Sequence, residues 1–139
     1  MKPYKSLFLL ASALFLFTAG TALKPLSAQE PWDVPTKYLK MTNPTDPKDA
    51  DGLEMGKQLY TKHCKSCHGK VGLGDGPKAA ELDTPSGDFS LSSFQSQTDG
   101  ALYYKTVIGR GDMPNYEKKI PVEEDRWLVI NYMRTFAKD

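Results

Sequence analysis

The sequence predicts an all-α fold in one modest domain. Three segments, starting near Asp51, Thr98 and Pro121, carry helix start signals, and the stretches between them are punctuated by glycine and proline. No βαβ pattern surrounds the one pair of cysteines. A length of 139 residues bounds the chain to a single domain.

Residues 1–28 read as a secretory signal peptide. Met1-Lys2-Pro3-Tyr4-Lys5 is a short basic start, Leu7 to Phe17 is apolar, and small residues follow at Thr18 to Ala22 and at Ser27-Ala28. Gly20-Thr21-Ala22 fits the small-x-small cleavage rule better, and cleavage after Ala28 is the alternative. The apolar run is short for a ~20-residue membrane span. Export to the periplasm is therefore expected; membrane association through a partner or an uncleaved N-terminal segment is the competing arrangement. The full chain holds 18 basic and 17 acidic residues, and removing Lys2, Lys5 and Lys24 leaves 15 and 17, a formal −2. Bulk charge gives no reason to expect nucleic-acid binding.

Residues 29–50 form a proline-rich N-terminal extension. Pro31, Pro35, Pro44 and Pro47 forbid a long helix, so the segment is expected to lie extended across the domain surface. Trp32, Tyr38 and Leu39 are its anchors. Packing on the protein's own body is favoured over docking to a partner, because a lone exposed Trp is uncommon.

Residues 51–139 then form the main domain. Asp51 is expected to cap a helix running through Glu54, Gly56, Leu59 and Tyr60 to the cysteines. Gly56 inside a helix costs about 1 kcal/mol relative to Ala. Its presence implies a second helix crossing closely, with Tyr60 one turn later on the same face.

The helix leads into His63-Cys64-Lys65-Ser66-Cys67-His68. Cys64, Cys67 and His68 make C-x-x-C-H, the attachment signature of a c-type haem. Two thiols at this spacing can each add to one haem vinyl group, and the His after the second Cys can donate a ring nitrogen to the iron. A zinc site is disfavoured, because zinc wants four N/S ligands and the only other His is His63. One covalent haem uses the chain's whole thiol supply.

Residues 69–98 are rich in turn formers. Gly72-Leu73-Gly74-Asp75-Gly76 follows no strand and lacks the G-x-G-x-x-G spacing, so nucleotide binding is excluded. A glycine segment wrapped closely around a flat cofactor is the simpler reading. Lys78 to Leu82 is expected to make a helical turn, and Leu82, Phe89, Leu91 and Phe94 to cover the macrocycle.

A second helix is expected from Thr98 or Asp99 through Leu102, Tyr103 and Val107 to Ile108, stopping at Gly109. Gly109-Arg110-Gly111-Asp112-Met113-Pro114 follows. A Met in such a loop can present its thioether, which makes Met113 the candidate second iron ligand. An open iron site with Met113 only nearby is the alternative, and it would suit a haem enzyme or gas sensor. The closing helix is signalled by Pro121 and by Glu123, Glu124 and Asp125, and is expected to continue to about Ala137. Val129, Tyr132, Met133 and Phe136 fall on one stripe, flanked by Trp127 and Ile130.

Taken together, Gly56 and Tyr60 four residues apart, C-x-x-C-H, Gly76-Pro77, Met113-Pro114 and an aromatic-bearing terminal helix resemble class I mono-haem cytochrome c over about residues 51–139. Pro31-Trp32, Asp88-Phe89 and Gly100-Ala101-Leu102-Tyr103 look like small bacterial respiratory cytochromes, such as those of alternative complex III. The resemblance implies an all-α fold whose N- and C-terminal helices cross at right angles around haem-enclosing loops. It implies His68 and Met113 as the axial ligands, and Pro77 as the residue whose carbonyl accepts the His68 N–H. Arg110 would pair with a haem propionate or stand as a solvated loop charge. The implied function is one-electron transfer, not substrate turnover, with membrane-bound respiratory complexes or a terminal oxidase as donor and acceptor. A fixed place in a larger complex is the other option. Lys62, Lys65, Lys70, Lys78 and Lys105 are candidates to steer an acidic partner.

Overall fold

The computed structural model describes residues 30–138. The expected signal peptide therefore lies outside the described residues. Among the described residues there are six α-helices and no strand: α1 Thr36–Leu39, α2 Ala50–His63, α3 Lys65–His68, α4 Ser92–Gln95, α5 Asp99–Ile108 and α6 Glu123–Arg134. A 3₁₀ turn, Ala79–Glu81, falls inside the helical turn expected for Lys78 to Leu82. None of these helices is long and apolar enough to cross a membrane.

The cap of α2 is Asp49, not Asp51: the Asp49 carboxylate accepts from the Gly52 amide at 3.0 Å. Asp51 sits in the first turn instead, where a negative charge complements the helix dipole. At α5 the Thr98 side chain accepts from the Ala101 amide, and Gly109 ends the helix at φ 72°. The closing helix is shorter than its sequence signals suggest, running from Glu123 to Arg134. Phe136 therefore lies beyond it.

The core is built where α2, α5 and α6 meet. Tyr60, Leu102, Tyr103, Val107, Trp127, Val129, Ile130 and Met133 are buried. Trp127 and Ile130 do more than flank a stripe, because α6 is packed on two sides. One side faces α5, where Trp127 stacks on Tyr103 with centroids 4.2 Å apart. The other faces α2, where Tyr132 meets Tyr60 at 5.4 Å. Gly56 lies at this second contact. A Cβ there would run into the carbonyl oxygen of Leu128 and press on Tyr132, so helix backbone meets helix backbone with no room for a methyl group. Tyr60, one turn on, is held between Tyr132 and Phe136 and donates its hydroxyl to the Gly69 carbonyl at 2.9 Å.

The extension packs on the body, as expected, but includes α1, and Leu39, expected as an anchor, is exposed. Tyr38 lies 4.7 Å from Tyr104 of α5, and Trp32 meets the same ring edge-on at 6.3 Å. Asn43 donates to Asn131 of α6 at 2.7 Å, and Asn131 donates to Thr45 at 2.9 Å. Asn131 is buried, so this pairing satisfies a polar group that burial would otherwise penalise.

Gly56→Ala is expected to destabilise the folded protein by about 1–3 kcal/mol, the cost of forcing an extra carbon into a close-packed contact. Denaturant unfolding of wild type and variant measures it; an unchanged midpoint would show that α6 can move away freely.

Candidate haem site

Cys64 ends α2, and the one-turn helix α3 carries Cys67 and His68. A helix this short leaves its carbonyls without internal partners. The glycine-rich segment supplies them. The Gly74 amide donates to His68 O at 2.9 Å, the Gly76 amide to Cys67 O at 3.2 Å and the Lys78 amide to Ser66 O at 2.8 Å. A Cβ on Gly76 would collide with the backbone of Ser66 and Cys67. The segment is thus tied closely to the backbone of the attachment turn, and Gly87 further along it lines the cavity beyond.

Beyond that turn lies a cavity of about 580 Å³, within the range of small-molecule and cofactor sites. Cys64, Cys67, His68 and Met113 all line it, as do Leu82, Phe89, Leu91 and Phe94. Neither cysteine is in a disulfide, and burial pushes the Cys64 thiol up to about 12. The His68 ring lies 4.5 Å from Phe89, which stacks on Phe94 at 4.3 Å. Burial pulls the His68 imidazole down to about 4, which keeps it neutral and fit to donate a lone pair.

Met113 sits on a tight loop between α5 and α6. Its amide donates to Arg110 O at 3.0 Å, and Arg110 and Met113 pair as an isolated bridge. Gly109 is required here: its φ is left-handed, and a Cβ would run into the carbonyl oxygens of Met113 and Pro114. The loop is tied on two further sides. The Asp112 carboxylate accepts from the Asp83 amide at 2.9 Å, and Tyr116 donates its hydroxyl to His63 O at 2.8 Å.

The profile of the cytochrome c family matches residues 53–137. This chain belongs to the cytochrome c family. Among solved structures it resembles a chain of the Kuenenia stuttgartiensis reducing HAO-like protein complex Kustc0457/Kustc0458, at 27% identity and a TM-score of 0.59, covering 68% of this chain and 47% of that one. It also resembles the KustC0563 c-type cytochrome, at 26% identity and a TM-score of 0.51, covering 60% of this chain and 98% of that one. The cytochrome thus spans about half the length of the first of these. No curated protein sequence is significantly similar.

A covalent c-type haem follows from the family, and Cys64 and Cys67 have the spacing of its attachment motif. The residues present fit it: two free thiols and a neutral imidazole share a cavity with apolar and aromatic walls and the Met113 thioether. The chemistry of the family is electron transfer through that haem.

One expectation for this cytochrome fails on geometry. Pro77 is exposed and outside the cavity lining. Backbone from Ser86, and not from Pro77, lies within reach of the buried His68 imidazole. Arg110 lines the cavity and is not a bare solvated charge. Its guanidinium donates to Glu30 O at 2.8 Å and Pro31 O at 3.2 Å and lies over the Trp32 ring at 4.3 Å.

Sequence reasoning also missed Tyr116 and His63 as part of the site. Both line the cavity, their rings 5.8 Å apart, and the His63 Nε2 is buried without a partner. Burial, with Lys62 and Lys119 nearby, lowers the His63 pKa. A His directly before the first Cys of the motif was the available signal.

Cys67→Ala is expected to leave a single thioether, so one vinyl group stays conjugated with the ring. The pyridine haemochrome band then moves to longer wavelength; an unmoved band would show that Cys67 takes no part in attachment.

Proposed function

We propose that this cytochrome is an exported one-electron carrier whose haem iron is ligated by His68 and Met113. The observation that supports it is the placement of both side chains on the cavity that also takes up Cys64 and Cys67. Bound haem supplies one iron that passes between the ferrous and ferric states. His68 offers a neutral imidazole on the side of the attachment turn. Met113 offers a soft thioether from the loop, which favours the ferrous state and raises the potential. The two ligands together leave no position for a substrate, which is why a carrier is favoured over an enzyme. Phe89, Phe94 and Leu102 keep water from the cavity wall and lower the local dielectric, which disfavours the extra charge of the ferric form.

The partners we propose are membrane-bound respiratory complexes, with a terminal oxidase among the acceptors. Lys62, Lys65, Lys70 and Lys78 are exposed and available to steer an acidic surface. Lys105 does not belong with them, since it is half-buried, bonded to Gln97 and near the Trp32 ring. One observation favours a second reading, a fixed subunit of a larger redox assembly: the similarity to a chain of the HAO-like protein complex. Co-purification with a large assembly would support that reading, and a monomeric periplasmic fraction the first.

Met113→Ala is expected to lower the reduction potential by well over ~59 mV, the tenfold step for a one-electron couple, and to let carbon monoxide bind the reduced protein without denaturant. An unchanged potential would sink the ligation.

A further inference from the structure

Arg110 is fastened to both the ligand loop and the N-terminal extension. Its carbonyl accepts the Met113 amide at 3.0 Å. Its guanidinium grips the Glu30 and Pro31 carbonyls and stacks on Trp32. A planar guanidinium offers its donors as a fixed fork and a flat face for an aromatic ring, so one conformation satisfies all three contacts. Trp32 is backed in turn by Tyr104 of α5. Glu30, Trp32, Arg110 and Met113 line the same cavity.

We infer that the segment 30–32, gripped by Arg110, is a positioning element for the Met113 thioether: it holds the ligand loop in place and so controls exchange at the sixth coordination position of the iron. This rests on the His68/Met113 ligation proposed above. The loop needs such a restraint. Gly109 and Gly111 both take left-handed backbone angles, at φ 72° and 58°, and glycine offers no side chain to hold them there. The extension is also fastened far from the loop, through Asn43 to Asn131 of α6. Restraint of the loop is therefore separable from attachment of the extension to the body.

The test uses the haem-loaded full protein in its oxidised form, mixed with imidazole as the entering ligand. Loss of the ferric iron–thioether charge-transfer band gives the rate at which Met113 leaves. Arg110→Gln and Trp32→Ala are each expected to raise that rate about tenfold or more, the change that ~1.4 kcal/mol of lost restraint produces. Arg110→Lys, which keeps the charge and loses the fork, falls between these and wild type. Asn43→Ala is expected to lower the unfolding midpoint and leave the rate at its wild-type value. Wild-type rates in Arg110→Gln and Trp32→Ala, or an equal rise in Asn43→Ala, overturn the inference. A wild-type protein with no iron–thioether band overturns the ligation itself, and the inference with it.

Discussion

The contact between α2 and α6 at Gly56 is the constraint on which the rest of this structure depends. Gly56 lets the two backbones touch at Leu128, and Tyr60 sits one turn further along the same face. Because α2 runs unbroken into Cys64, fixing its axis against α6 also fixes where the attachment turn begins. The Tyr60 hydroxyl then reaches the carbonyl of Gly69, just past His68. Helix packing and cofactor attachment are thus one rigid unit, with the core on one side and the cavity on the other.

The two sides of the cavity are built differently. On the His68 side, backbone amides of the glycine segment satisfy the carbonyls of a helix too short to satisfy its own. That arrangement leaves the imidazole little freedom. On the Met113 side, the Met113 amide donates to Arg110 O and the Tyr116 amide to Val107 O, and the loop takes further restraint from neighbours: Asp83 through Asp112, His63 through Tyr116, and the extension through Arg110. The His68 side is thus held by its own turn, and the Met113 side largely by contacts from elsewhere in the chain.

The extension changes character once its contacts are known. Its prolines rule out a long helix, and what remains is a strap with one short helical turn. Trp32 at one end reaches the cavity, Tyr38 packs on α5, and Asn43 is bonded to the buried Asn131 of α6. Three separate points of attachment along so short a segment make it part of the cofactor's surroundings.

The sequence by itself determined the haem-attachment motif and the three longest helices, because both are local. C-x-x-C-H is defined within five residues, Thr98 and Gly109 mark the ends of α5 from the positions that flank it, and Gly56 announces a close contact without naming the partner. What only the tertiary structure decided was which distant groups meet. Pro77 and Ser86 both follow His68, and nothing in their order says which backbone comes back beside the imidazole. Arg110 carries a charge that suits a carboxylate, yet its fork is taken by two carbonyls some eighty positions earlier in the chain. The glycines after His68 signalled close approach, but whether to a ring or to another backbone depended on where the chain turned. Residue type fixes what a group can do, and the path of the chain through space fixes what it touches.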